Sequence, residues 1–85
     1  MRSVYVNLPS TRAIQNFVSA ISKLTGDFEL ISEHYILDAR SMLGIFNLDL
    51  TKPVELKIYQ DSDATLHALA PFLAEQNEKK GTKNG

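Results

Sequence analysis

The 85-residue sequence contains no cysteine and no tryptophan, and it has three prolines and four glycines. Without cysteine the chain can form neither a disulfide framework nor a thiol nucleophile, and this usage is typical of a reducing compartment. No apolar run approaches the ~20 residues that a membrane-spanning helix needs. The N-terminal residues lack the long apolar core of a signal peptide. We therefore expect a cytoplasmic protein that does not enter membranes.

A strong charge of either sign is also missing. Nine basic and ten acidic side chains give a net charge of −1, so no strong field attracts the chain to nucleic acid or to an anionic membrane. A chain of this length forms one small domain with little room for an elaborate active site. We predict a single domain over residues 1–78. Residues 79–85 carry no apolar side chain and are predicted to be a disordered tail.

The spacing of apolar residues predicts the elements. Alternation predicts strands in the stretches that contain residues 4–8, 28–30, 35–39 and 54–59, with a turn near Glu33 and His34. Helical spacing predicts an amphipathic helix that follows Ser10 and is closed by Gly26. A last helix follows residues 61–63, with Pro71 as a kink or irregular turn. Its predicted buried face consists of Leu66, Leu69, Ala70 and Leu73.

The predicted order is βαββαβα, an α+β fold. Three helices can cover only one face of a four-stranded antiparallel sheet, so the other face stays open, as in an open-faced β-sandwich. Four side chains share the outward parity of their strands and form an apolar patch there, which a homodimer would cover. These residues are Tyr5, Ile31, Ile36 and Tyr59.

Residues 38–50 are the stretch around which the chain is organised. They read as the end of a strand, then Ser41 as the N-cap of a short helix, then an apolar helix that runs into the next strand. The stretch holds too many apolar residues for one short helix to bury. We expect Met42, Leu43 and Phe46 to form an exposed apolar rim. The core then receives Ile45, Leu48 and Leu50.

From about Val4 to Leu73 the chain resembles the HPr family, the small histidine phosphocarriers of the bacterial sugar phosphotransferase system, and two segments carry the resemblance most clearly. Residues 39–48 read Ala-Arg-Ser-Met-Leu-Gly-Ile-Phe-Asn-Leu, similar to the family's segment around its regulatory serine, and residues 64–69 resemble the start of its last helix. The resemblance implies an open-faced β-sandwich in which Ser41 is phosphorylated by a dedicated kinase. It also implies protein partners: phosphotransferase-system enzymes, the serine kinase or a transcriptional regulator of carbon-catabolite genes.

The family's phosphocarrier motif, Gly-Leu-His-x-Arg-Pro-Ala, is altered here. Residues 8–14 read Leu-Pro-Ser-Thr-Arg-Ala-Ile, so Ser10 stands at the histidine position, 31 residues before Ser41. A serine hydroxyl is a weak nucleophile without a neighbouring base, and a phosphoserine ester is a poor phosphoryl donor. We therefore assign no catalytic residue, interpret Ser10 as a helix cap and expect no enzyme. The family member Crh also lacks the histidine, keeps the serine and acts only in regulation.

The remaining candidates are two arginines beside the two serines. Arg12 either holds an anion at the first turn of its helix or is a solvated surface charge, and Arg40 is expected to contact a phosphate on Ser41. Ser41 is either a plain cap or a regulated serine. We find no metal-ligand spacing and no phosphate-binding glycine loop, and expect no metal and no cofactor. The predicted function is an HPr-like regulatory or interaction protein; a phosphocarrier with a non-standard acceptor and a self-associating structural module remain alternatives.

Overall fold

A computed structural model describes residues 1–33 and 35–74 of the chain. The predicted tail and the predicted hairpin tip at His34 lie outside the described residues. Among the described residues, no helix has the length and apolar character required to cross a membrane. The elements are β1 (Arg2–Val6), α1 (Thr11–Ser22), β2 (Phe28–Ile31), β3 (Ile36–Asp38), α2 (Met42–Ile45), β4 (Val54–Ile58) and α3 (Asp63–Leu69). This order confirms the predicted βαββαβα sequence of elements.

The four strands form one antiparallel sheet in the order β1-β4-β2-β3. Because side chains alternate across a strand, the register divides the sheet into two faces. Leu56 of β4 is paired with Val4 and Leu30 on the face that carries the core. One row of the opposite face consists of Tyr5, Glu55, Ile31 and Ile36.

The core lies between one face of this sheet and the three helices. Strand side chains such as Phe28 and Ile58 meet helix side chains such as Ile21 and Leu69, all of them buried. The fold is therefore α+β, with an open four-stranded antiparallel sheet and three helices, as the sequence predicted.

Helix α1 begins where the sequence predicts and ends earlier. The Ser10 side chain caps it, and its buried face contains Ile14, Phe17 and Ile21. The helix ends at Ser22 with Lys23 as C-cap, so the prediction that Gly26 closes it was wrong. Gly26 has φ of +96° in the connection to β2, and an added Cβ there would lie 2.9 Å from Gln60 Cβ, which cannot move away as a side-chain end can. A glycine is required at that turn for both reasons.

The chain leaves its helical path after α3, at Pro71. Residues Ala70–Phe72 form one 3-10 turn, which confirms the irregularity expected at the proline. Ala70 and Leu73, predicted to be buried, are exposed instead. The reason is that residues 72–74 turn alongside β1, where the Ala74 N–H donates to the Tyr5 carbonyl over 2.9 Å. This segment covers the outer edge of β1.

Candidate functional site

Ser41 lies at the surface between β3 and α2. The turn before it is held by Asp38, whose carbonyl accepts the Ser41 N–H over 2.9 Å and whose Oδ1 accepts the Arg40 N–H over 2.8 Å. Ser41 itself is extended, and its Oγ accepts the Gly44 N–H over 3.3 Å. The predicted N-cap is therefore confirmed, and the hydroxyl is exposed.

Gly44 allows this cap to form. A Cβ built at Gly44 would lie 3.0 Å from Ser41 Oγ and 3.2 Å from Leu37 Cδ1. Both separations are tighter than ordinary van der Waals contact. A side chain at position 44 would thus displace either the capping hydroxyl or the core packing of Leu37.

Helix α2 is shorter than predicted. It comprises only Met42–Ile45, and residues 46–53 separate it from β4, so the expectation that it runs into the next strand was wrong. The Asn47 N–H donates to the Gly44 carbonyl, which tightens the last turn. The carboxylate of Asp49 then accepts hydrogen bonds from the backbone N–H and the hydroxyl of Thr51, which fold the connection back.

Of the exposed apolar rim expected here, Leu43 and Phe46 are exposed, and the expectation was wrong for Met42. Leu43 is 81% exposed and Phe46 is 45% exposed. Met42 is half-buried and packs against the core, while Ile45 is fully buried. Residues three apart on a helical turn are neighbours, so Leu43 and Phe46 form one patch close to Ser41. We call Ser41, Leu43 and Phe46 the α2 surface.

Arg40 serves a structural contact that the sequence did not indicate. Its Nη2 group donates to the carbonyls of Gly26 over 3.0 Å and Leu24 over 3.1 Å. Its guanidinium carbon lies 5.3 Å from the centre of the Phe28 ring. These two carbonyls lie just after α1, and a third, longer hydrogen bond of 3.4 Å to the Ile21 carbonyl brings Arg40 to the last turn of the helix, where a cation is favoured by the helix dipole. A phosphate contact from Arg40 at Ser41 stays a prediction.

Ser10 and Arg12 lie at the other serine cap. Ser10 Oγ accepts the Ala13 N–H over 3.1 Å, as its interpretation as a helix cap requires. Within residues 1–33 and 35–74, no hydrogen bond joins Ser10 to a titratable side chain, and no hydrogen bond or ion pair holds the exposed Arg12. The anion contact expected of Arg12 stays a prediction. His67 is exposed in the last turn of α3.

Two exposed side chains have perturbed ionisation. The Tyr59 hydroxyl donates to Glu29 Oε1 over 2.7 Å, and this hydrogen bond, with the nearby negative charge, raises the pKa of Tyr59. The hydrogen bonds from Thr51 lower the pKa of Asp49. In the part of the chain that the structure describes, no group of three His, Cys, Asp or Glu residues could hold a metal ion.

The open face carries the side chains that strand parity predicted. Tyr5, Ile36 and Tyr59 are 44%, 68% and 41% exposed, and Ile31 is half-buried. They do not form a purely apolar patch, because Glu55 lies between Tyr5 and Ile31, and Tyr59 is hydrogen-bonded to Glu29. Alternation along β4 predicted that Glu55 faces outward, but only the strand order shows that it lies between Tyr5 and Ile31.

Comparisons with known proteins gave no relative: no family model, no curated protein and no solved structure matched this chain. The fold class therefore stands on the geometry above. The resemblance to the HPr family rests chiefly on residues 39–48 and 64–69.

Proposed function

We propose that this protein is an HPr-like regulatory or interaction module that contacts a protein partner through the α2 surface. The single observation that carries the proposal is the exposure of Leu43 and Phe46 beside the Ser41 hydroxyl. Exposed large apolar side chains that cluster often mark contact surfaces. A serine among them places a modifiable group where a phosphate changes the charge of the surface.

Phosphorylation of Ser41 by the serine kinase of the phosphotransferase system is the regulatory step in this proposal. The kinase transfers the γ-phosphoryl group of ATP to Ser41 Oγ. The bond between the γ-phosphorus and the bridging oxygen of ATP breaks, ADP is released, and the hydroxyl proton passes to solvent. The new dianion lies beside the apolar pair Leu43 and Phe46. A partner that packs on these two side chains therefore meets a very different surface before and after modification.

The surroundings of Ser10 support regulation over phosphate relay. Its hydroxyl serves the Ala13 N–H, and the described residues offer it no titratable partner. Nothing there activates the oxygen as a nucleophile. Phosphoenolpyruvate and the first enzyme of the phosphotransferase system should accordingly leave no acid-labile label on the protein. Such a label would instead establish the carrier alternative.

The kinase assay tests the proposal directly. Incubation with the serine kinase and ATP, followed by peptide mass spectrometry, should place one phosphate on Ser41. The Ser41→Ala variant should remain unlabelled, and the matched Ser10→Ala variant should be labelled like the wild type. An unmodified Ser41 in the folded wild type would contradict the regulatory proposal.

The apolar half of the surface needs its own variant. Leu43→Ala combined with Phe46→Ala should lower kcat/KM for Ser41 phosphorylation, because both side chains are expected to contact the kinase. The control is Leu73→Ala, an exposed aliphatic residue beside β1 at the opposite edge of the sheet. Equal kcat/KM for both variants would remove the contact role of the α2 surface.

A further inference from the structure

A cleft of about 470 Å³ lies at one end of the open face. Its floor is formed where β1, β4 and β2 place Tyr5, Glu55 and Ile31 side by side. Its walls include Tyr35, before β3, and Pro53, before β4. This volume is in the range of sites that hold a small organic group. The cleft shares no residue with the α2 surface, although it begins at Asn47, directly after Phe46.

Glu55 is the notable polar group in this cleft. It is half-buried, and its neighbours across the strands are an aromatic and an aliphatic side chain, Tyr5 and Ile31. No hydrogen bond or ion pair among the described residues engages the Glu55 carboxylate. Glu29, on the same face of the neighbouring strand, contrasts with it because the Tyr59 hydroxyl already occupies its carboxylate. Among the described residues, Glu55 is thus a carboxylate without an ion-pair partner, flanked by Tyr5 and Ile31.

A lysine and a second carboxylate of the cleft pair with each other and not with Glu55. They are Lys52 and Asp49. Lys52 Nζ lies 4.0 Å from Asp49 Oδ2, and it therefore offsets Asp49 rather than Glu55. A positively charged occupant fits this balance, and an anion does not.

We propose that the cleft binds an arginine side chain of a partner protein, with the guanidinium paired to Glu55 and its plane against Tyr5 or Tyr35. Arginine satisfies all the features of the cleft together. Its planar fork matches a carboxylate, its face stacks on aromatic rings, and it is more weakly hydrated than an ammonium group. The inference is independent of the proposed function, because it involves neither Ser41 nor the exposed residues of α2.

The test is an NMR titration of the full chain with N-acetyl-arginine methylamide as the probe. Saturable shifts of the Tyr5, Ile31 and Glu55 amides are expected, with affinity in the millimolar range typical of one side chain. Glu55→Gln should weaken binding about tenfold or more, because it removes a charge-assisted hydrogen bond. The matched variant Glu29→Gln makes the same change on the same face and should bind like the wild type.

Further arms separate the alternatives. N-acetyl-lysine methylamide should bind more weakly than the arginine probe, and N-acetyl-leucine methylamide should produce no saturable shift in the cleft. Tyr5→Leu keeps the Glu55 carboxylate and should weaken binding of the arginine probe, because it removes one ring on which the guanidinium can stack. A dispersed NMR spectrum verifies that this variant is folded. Free L-arginine should bind no more tightly than the capped probe, because the contact is with the side chain and the cleft is not expected to recognise the free α-amino and α-carboxyl groups.

Three results would overturn the proposal. They are a cleft that does not respond to the capped arginine, a Glu55→Gln variant that binds it as the wild type does, and tighter binding of free L-arginine. The last result would identify a small-molecule site instead of a contact for a protein. None of these outcomes bears on Ser41 phosphorylation, so the two proposals fail separately.

Discussion

At the residue scale, three serines perform the same local task. Ser10, Ser41 and Ser62 each stand in extended conformation before a helix, and each side-chain oxygen accepts the backbone N–H three residues later. The donor groups lie within the same few residues of chain as the acceptors. Sequence alone could therefore locate these caps, because no long-range contact is needed to form them.

The cap of α1 is expected to contribute measurably to stability. Ser10→Ala leaves the Ala13 N–H without its partner at the start of a 12-residue helix, and should lower the free energy of unfolding by about 1 kcal/mol. Urea denaturation measures the change. Ser19→Ala, an exposed serine within the same helix, is the control and should change stability far less. Equal losses in the two variants would show that the cap contributes nothing.

The Tyr59 hydrogen bond makes stability depend on alkaline pH. Its bond to Glu29 needs a protonated hydroxyl, so the folded pKa of Tyr59 is raised above the unfolded value near 10. The contribution is complete below the unfolded pKa and is lost as the pH rises through the folded pKa. A spectrophotometric titration should show a lower pKa for Tyr59 in the Glu29→Gln variant than in the wild type.

Tyr59→Phe identifies the Tyr59 transition in that titration by removing it. In the same variant the free energy of unfolding should fall less as the pH rises, because there is no Tyr59 hydroxyl to ionise. An unchanged Tyr59 pKa in Glu29→Gln would mean that the hydrogen bond does not form in solution.

At the scale of the elements, hydrophobic spacing predicted which segments are helices and strands, and non-local contacts decided where they end. Helix α1 stops before Gly26, and Leu73 is exposed beside β1 and not buried on α3. Periodicity detects which residues can share a face, but it does not detect an arginine from another element at a helix end. The Arg40 contact was therefore outside the reach of sequence reasoning.

That contact should be one of the stronger polar interactions of the fold. Arg40→Met keeps much of the side-chain volume and removes the bonds to the carbonyls of Leu24 and Gly26. Since hydrogen bonds to a charged group contribute about 1.5–3 kcal/mol, the free energy of unfolding should fall by about that amount in urea denaturation.

The control for Arg40 is the other arginine of the candidate site. Arg12 is exposed in the first turn of α1, where a cation opposes the helix dipole. Arg12→Met should therefore leave stability unchanged or raise it slightly. A loss of stability from Arg12→Met that equals the loss from Arg40→Met would contradict these assignments.

At the scale of the whole molecule, the two sides of the sheet differ in what the sequence could predict. The helix-covered side was predictable because burial imposes a strict apolar pattern on it. The cleft of the open side depends on register, which places Glu55 of β4 beside Tyr5 of β1 and Ile31 of β2. The residues that this register brings together are more than 20 positions apart in the sequence. The alternation of side chains within one strand does not show which residue of another strand lies beside each of them.

Stability and partner contact should therefore be separable in this chain, and two phenylalanines test the separation. Phe17 is fully buried and packs edge-to-face on Phe72 with ring centroids 5.5 Å apart, whereas Phe46 is 45% exposed on the α2 surface. Phe17→Ala should lower the free energy of unfolding by about 3–5 kcal/mol. That is a large part of the total, since a chain of this length is expected to have a free energy of unfolding of about 4–13 kcal/mol. Phe46→Ala should change the free energy of unfolding by much less, because a truncated surface residue leaves no internal cavity.

Urea denaturation and Ser41 phosphorylation, measured on the same two variants, distinguish the roles. Phe46→Ala should keep an unfolding midpoint close to that of the wild type, and its kcat/KM with the serine kinase should be lower. Phe17→Ala should unfold at a lower urea concentration. Its phosphorylation, measured at low temperature where the variant is still folded, should resemble that of the wild type. If Phe46→Ala instead lowered stability as much as Phe17→Ala, its ring would belong to the core. The exposed part of the Phe46 ring would then not mark a contact surface.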